Sequence, residues 1–366
     1  MSSSQDLLDV ETDFALQLLA TLPTNEPSVL SPISISLALS LVHLGAKGVT
    51  REQITQAILK ESSDEEFKKH FSRLAGSLKS SENGVETSIA NRIFVNEGSI
   101  IKTDYLSNAQ SQYSAGAETL NFNDAESSAT KINQFISTNT SNKINDLVSS
   151  DTLKDAFAIL INAVYFKADW QDKFEKIGTY DRSFYTSPSA EKSISFLNEL
   201  QTHRDYTEDD TFQVLSLRYI DTSYNFAIFL PKRRFGLEAA LKKLTGTKLQ
   251  TLINTLGNQY LDISIPKFKI EKSLDLKETL QKVGITEIFE TSADISNFAE
   301  NVHISSGVHK SLIEVDEDGT TAAASSALKP HLEMMIMAEP IQFIADHPFM
   351  FALLKDNSPL FIGIHA

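Results

Sequence analysis

The chain has 366 residues, more than the usual single-domain size, and 41% of them are apolar, enough for a large core. Its 33 basic and 48 acidic residues leave a formal charge of −15, which argues against nucleic acid and anionic membrane as partners. There is no cysteine, so the fold needs no disulfide and uses no thiol chemistry, which suits a reducing compartment.

The first residues, Met1-Ser-Ser-Ser-Gln-Asp, carry no basic start and no long apolar run, so a conventional secretion signal is not expected. Residues 5–20 place Leu7, Leu8, Phe14, Leu18 and Leu19 at helical spacing. Ser31-Pro-Ile-Ser34 then reads as a capped helix start, and the run to Gly45 is apolar nearly all round, as in a buried helix. A second helix is expected over 50–59, with Thr50 and Glu52 or Gln53 as a capping box. Residues 60–85 read as charged and mostly helical, Ser88–Val95 as a strand, and Ala125–Leu147 as helical. The sequon Asn139-Thr140-Ser141 is expected to stay unused.

From residue 157 strands dominate. Phe157–Phe166 is a near-continuous apolar run, as in a strand covered on both faces. The longest nearly apolar run, Ala156–Phe166, contains Asn162 and is too short to cross a bilayer. Phe212–Arg218, Asn225–Leu230 and Leu261–Pro266 follow as strands, Phe235–Leu256 and Leu274–Val283 as helices. Phe349–Leu354 and Leu360–Ile364 form a closing hairpin. With no repeat and no long linker, the chain reads as one α+β domain over 1–366.

One stretch fits none of these patterns: Glu314-Val-Asp-Glu-Asp-Gly-Thr-Thr-Ala-Ala-Ala-Ser-Ser-Ala327. Its small residues cannot build a core. Taken alone, it reads as an alanine helix capped by Asp318 or Thr320, or as a flexible linker. Gly319 supplies a pivot.

Enzyme chemistry is thinly represented. There is no Gly-x-Ser-x-Gly elbow, no complete phosphate loop and no His-Glu-x-x-His, and the histidines are scattered, so neither metal nor cofactor is expected. Ser31 or Ser34 with His309 could form a nucleophile and base, but a buried hydrogen-bond cluster is the preferred reading.

In order along the chain, a set of fragments resembles the serpin family. They are Ser31-Pro-Ile-Ser34, Leu44-Gly-Ala46, Ala90-Asn-Arg-Ile-Phe94, Ile132-Asn133, Lys143-Ile144, and Asn162-Ala-Val-Tyr-Phe-Lys-Ala-Asp-Trp170 with Phe174. Leu230-Pro231, Ile265-Pro-Lys267, Ala293-Asp-Ile-Ser296, His309-Lys310, His347-Pro-Phe349 and Ser358-Pro-Leu-Phe361 complete the set. Phe135, Asn142 and Gly307 stand where the family usually has Trp, Gly and an apolar residue.

The resemblance implies helices packed around three β-sheets, with an exposed reactive-centre loop over about 317–340. It implies a suicide inhibitor and not an enzyme: a protease cleaves the loop, and the loop inserts into the main sheet before the acyl-enzyme hydrolyses. A strand rises about 3.3 Å per residue, so a dozen or more inserted residues would carry the enzyme roughly 40–50 Å. The hinge would be Gly319, Thr320, Thr321, Ala322, Ala323, Ala324 and Ser325, where alternate side chains enter the core and a charge would be costly. The hinge carries neither charge nor proline, which favours an inhibitor over a non-inhibitory, binding or chaperone-like relative.

By the same resemblance, Glu317, Lys267 and Trp170 belong to the loop base, and Ser31, Ser34, Asn162 and His309 to the polar cluster where the sheet parts. Counting forward from Gly319 puts the scissile bond at Glu333-Met334; counting back from His347-Pro-Phe349 gives Met334-Met335. Glu333 suits granzyme-B-like serine proteases, Leu332 suits papain-like, cathepsin-L-type cysteine proteases, and a Met suits chymotrypsin- or elastase-like enzymes. The expected partners are therefore proteases. A cytoplasmic monomer without heparin dependence, resembling the intracellular branch and, by its short tail after Gly363, an invertebrate member, completes the expectation.

Overall fold

In the computed structural model, residues 4–60, 63–78, 84–320 and 339–366 are described. The long apolar run becomes the strand Ala158–Asp169, buried along all of its length except Lys167 and Asp169. Its side chains alternate between two cores. Ile159, Ile161, Ala163 and Tyr165 pack with Ile132 and Ile136 of the helix Ala125–Asn139. Ala158, Leu160, Val164, Phe166 and Ala168 join the main core on the other side. Both faces are covered, which is why the run shows no polar alternation.

This strand sits in a six-stranded sheet of order Phe268–Asp275, Ile304–Val315, Ala158–Asp169, Glu86–Asn96, Gly116–Leu120, with the short strand Gly319–Thr320 attached to it separately. Glu86–Asn96 runs antiparallel to it, with Asn91 opposite Asn162. Ile304–Val315 runs parallel to it, with His309 opposite Asn162. Parallel pairing in the middle of an otherwise largely antiparallel sheet leaves slanted, slightly weaker hydrogen bonds there.

The second network has nine strands. Its main path runs Ser28–Leu30, Ser358–His365, Phe349–Lys355, Tyr224–Pro231, Phe212–Arg218, Ala190–Glu208, Gly257–Pro266, Ile341–Ile344, and Tyr180–Ser187 also pairs with Ala190–Glu208. Two of the three expected sheets are thus joined by hydrogen bonds through Ala190–Glu208, whose register shifts between Glu199 and Thr202. The helix Pro32–Gly45 lies between the networks, against Ser358–His365 and Ala158–Asp169, and only Leu44 along it is not fully buried. Ser31 caps it by accepting from Ser34 N, as expected.

Several local expectations need correction. The helix expected from Thr50 begins at Gly48 after an uncapped Lys47. Thr50 and Gln53 instead accept backbone N–H groups of Asp294, Thr286 and Glu287, so tertiary contacts took the capping side chains. The capping box lies one helix later, at Ser63 and Glu66 before Asp64–Ser77. The helix from Ala125 stops at Asn139, and Asn142 beyond it is left-handed (φ 58), which explains a usual glycine. Phe235–Leu256 divides into Leu237–Leu241 and Gly246–Asn254, and the helix expected from Leu274 starts at Leu276 after a strand. Thr103–Tyr113 is a helix without a counterpart in the sequence reading.

Candidate functional site at the parting of the central sheet

Two groups of side chains stand at successive heights between Ala158–Asp169 and Ile304–Val315. The lower is neutral and, apart from the half-buried Asn91, buried. Ser31 N–H donates to His309 Nε2 at 3.1 Å, so Nε2 is unprotonated and the ring proton sits on Nδ1, facing Asn162 Oδ1. Asn162 Nδ2 donates to Ser34 O at 3.0 Å and Ser34 Oγ at 2.7 Å, and also reaches Asn91 Oδ1. Ser31 Oγ donates to Leu360 O at 2.5 Å. Ser311 Oγ donates to Val29 O at 2.9 Å. Burial holds the His309 pKa down at about 3. The network therefore ties both central strands, Glu86–Asn96 and the buried helix together without any ion. Satisfied in this way, it is stable; a lost member would leave buried polar atoms unpaired.

This geometry disposes of the nucleophile reading. His309 faces a backbone N–H of Ser31 and not its hydroxyl, and the Ser31 hydroxyl is spent on a carbonyl. Neither serine has the base contact that activation requires.

The upper group anchors the start of the small-residue segment. Asp316 Oδ1 accepts from Asp318 N at 2.9 Å and Gly319 N at 3.1 Å, while Asp316 N donates to Gly319 O at 3.0 Å, closing a tight turn. Burial raises the Asp316 pKa against those bonds. Trp170 holds the turn from the side: its Nε1 donates to Asp316 O at 2.9 Å and its N to Asp318 O at 3.0 Å. Lys267 Nζ and Thr179 Oγ1 donate to the two Glu317 oxygens at 2.7 and 2.9 Å. Burial pushes the Glu317 pKa up, but these donors outweigh it and hold the carboxyl below its ordinary value. Lys173 and Lys176 each lie 3.5 Å from an Asp318 oxygen.

Beyond the turn the chain is already a strand. Gly319 and Thr320 pair antiparallel with Asp169 and Ala168. Gly319 passes so close that a Cβ there would lie 2.1 Å from Ala168 O. Thr320 is buried, and its hydroxyl meets that of Tyr219 at 2.7 Å. Tyr219 in turn stacks on Trp170, centroids 4.5 Å apart and planes 18° from parallel. Just below, residues 304–312 pair directly with 158–165, so the sheet is open only at its top.

The structure thus brings Glu317, Gly319, Thr320, Lys267 and Trp170 into one group and Ser31, Ser34, Asn162 and His309 into the other. Thr321, Ala322, Ala323, Ala324, Ser325, Leu332, Glu333, Met334 and Met335 lie outside the described residues. Asn91, Tyr219, Thr179 and Asp316 belong to the site and escaped the sequence reading. Asn91 sat within a quoted fragment and Asp316 opened the acidic run, but nothing local marked Tyr219 or Thr179.

A mixed sheet that carries the two-residue strand Gly319–Thr320 at its top, above a closed, neutral polar clasp, defines the site. Residues 9–366 match the family model described as serpin (serine protease inhibitor). The chain is 31% identical to serpin I2 of Homo sapiens over 96% of this chain and 89% of that one. It is 34% identical to the leukocyte elastase inhibitor of Xenopus laevis over 91% of each. Among solved structures it superimposes on Serpin48 of the insect Tenebrio molitor with a TM-score of 0.88 at 26% identity, covering 100% of this chain and 98% of that one. Native tengpin, a thermophilic serpin, gives a TM-score of 0.89 at 27% identity, covering 100% and 95%. The chain belongs to the serpin family.

Proposed function

We propose that this serpin is inhibitory and traps a protease as a covalent acyl complex by inserting its cleaved loop between Ala158–Asp169 and Ile304–Val315. The observation that carries the reading is the docked pair Gly319–Thr320, which lies antiparallel on the strand that the rest of the loop would follow. Continuing that register would replace a parallel ladder by antiparallel ladders on both sides. Each added bond is worth about 1 kcal/mol net, and Thr321 to Ser325 are small and uncharged, so no side chain opposes entry.

The cut is placed at Glu333-Met334, with Met334-Met335 as the alternative. The targets are granzyme-B-like serine proteases and, through Leu332, cathepsin-L-type cysteine proteases. Relatives named leukocyte elastase inhibitor and antichymotrypsin-2 (Bombyx mori) fit the alternative cut after a methionine. An intracellular site of action belongs to the same reading, and the absence of cysteine accords with it. The test is incubation with each protease, followed by a denaturing gel and mass spectrometry. A serine-protease adduct that survives denaturation, or cysteine-protease inhibition with a cut after Glu333, supports the reading. Clean cleavage of the loop with full protease activity retained would make the chain a non-inhibitory, substrate-like serpin.

A further inference from the structure

The two roots of the loop flank a surface on which large apolar side chains stand exposed among polar ones. At the N-terminal end Glu317 is bonded to Thr179, two residues after Ile177, which is 90% exposed. At the C-terminal end Ile341–Ile344 pairs with Gly257–Pro266, and Gln342 Nε2 donates to Asp262 Oδ2 at 2.7 Å. The other Asp262 oxygen accepts the N–H of Gln201 at 2.8 Å. Leu200 and Gln201 form the irregularity in Ala190–Glu208, where the register shifts and Gln201 takes a left-handed φ of 54°. That bulge turns Leu200 outward, 70% exposed. Between the two points Asn198 Nδ2 donates to Gly178 O at 2.8 Å, which brings the neighbourhoods of Ile177 and Leu200 together. Tyr180, 54% exposed, stands beside them opposite Phe196.

Ile177 lies in a single short turn (Lys176–Gly178) and Leu200 at a bulge, so neither is exposed because a core lacked room for it. A single exposed leucine needs no explanation, but a bulge-presented leucine and a fully exposed isoleucine between the two roots of one loop do. Both roots of the loop border this ground, so an enzyme that takes the loop into its cleft is brought close to it.

We infer that Ile177 and Leu200, flanked by Tyr180, form a second docking surface for the target protease, meeting an apolar patch on the rim of its active-site cleft. The surface would select among proteases that accept the same loop sequence, and it rests on the inhibitory reading only in taking a protease as the occupant. Central apolar anchors of this kind dominate the energetics of an interface, and their truncation chiefly shortens the life of the encounter complex.

The test measures the second-order rate at which the loop of the whole protein is consumed, counting adduct and cleaved chain together. A granzyme-B-like serine protease and a cathepsin-L-like cysteine protease are used, and the one that consumes the wild-type loop faster is taken forward. The Ile177→Ser, Leu200→Ser double variant should lose about tenfold in that rate, with its unfolding temperature unchanged. The same protease acting on a free peptide of residues 325–338 should show no advantage of the kind the whole protein gives. A rate within about twofold of wild type would overturn the inference. So would a faster rate, which would mean that this surface carries the loop itself. Wild-type cleavage without adduct would defeat the inhibitory reading, yet leave the comparison of rates, and hence this inference, decided on its own.

Discussion

Tyr219 and Thr320 share a hydrogen bond of 2.7 Å in the interior, between a strand-end tyrosine and the second residue of the docked pair. Both side chains are buried, and Trp170 covers Tyr219 on one ring face. The bond exists only while Thr320 is in the sheet, so it biases the hinge toward the docked position. Tyr219→Phe keeps the ring stack and removes the hydroxyl, leaving the Thr320 hydroxyl buried without a partner at a cost of about 1–3 kcal/mol. The unfolding temperature should fall, and amide exchange at residues 319–320 should accelerate. Unchanged exchange would mean that the Asp316 turn holds the pair unaided.

Thr320→Arg probes the next step. The position is fully buried in the docked state, so a guanidinium would have to be desolvated there, at several kcal/mol. Cleavage of the loop should proceed at the wild-type rate, because the proposed scissile bond, Glu333-Met334, is remote in sequence. Insertion should be slowed enough for deacylation to win. A titration of active protease against the variant would then need many molecules per enzyme inhibited. A stoichiometry near that of wild type would remove the packing argument for a small hinge.

Lys267 tests how much a visible ion pair is worth. Its side chain is 42% exposed while that of Glu317 is nearly buried. Solvent screens such a pair, so Lys267→Ala should cost less than about 1 kcal/mol, since Thr179 still donates to Glu317. Thermal unfolding of the variant checks it, and a loss several times larger would mark the pair as a clamp on the hinge.

Much of this site was legible because its residues are local signals. Ser31 caps a helix by a rule that operates over three residues, and the apolar run Phe157–Phe166 announces a strand covered on both faces. The closing hairpin was equally readable, though its strands run on to Lys355 and from Ser358, around the two-residue turn Asp356–Asn357 with both φ positive. What was missed depends on distance in sequence. Thr50 and Gln53 look like caps until residues 286–294 arrive to take their oxygens. Thr103–Tyr113 buries only Tyr105, Ala109 and Tyr113, too thin a stripe to stand out in a polar segment. Tyr219 is one of many aromatics until a hinge threonine more than a hundred residues later is laid against its hydroxyl. Gly307 replaces an apolar residue of the family where a Cβ would lie 3.0 Å from Leu276 Cβ and 3.5 Å from Leu160 Cβ, so its neighbours have closed over the space.

Asn162 is the member of the lower group with most to lose. It joins Ser34, Asn91 and His309 in one step between the strands that the proposed insertion would part. Asn162→Ala leaves several buried polar atoms unpaired and should cost about 2–4 kcal/mol. The loss falls on the closed sheet and not on the inserted one, so heating should convert the variant faster to forms in which the sheet takes a strand from its own loop or from another copy. Native gels after mild heating would show this as new bands. A variant that unfolds earlier without new bands would assign Asn162 to general stability and not to closure.

The lower group also fixes a pH dependence. His309 is held neutral by burial, with its pKa lowered to about 3; Nε2 accepts from Ser31 N, and no carboxylate among the described residues supports a charge on the ring. His43, lowered to about 4 by burial and then by Arg51, and His365, lowered to about 3 by burial and then by Lys192, act in the same direction. In the unfolded chain a histidine takes up its proton near pH 6.5, where the folded protein still refuses it. Unfolding therefore binds protons below pH 6.5, and the stability that these residues contribute, complete above that pH, is lost as pH falls toward 3. Each such histidine adds about 1.4 kcal/mol per pH unit to the slope in that window. His309→Gln should remove about one histidine's share of that slope between pH 6 and 5, above the range where carboxylates titrate. Denaturant unfolding at a series of pH values measures it, and an equal slope in variant and wild type would mean that His309 titrates in the folded protein as it does in water.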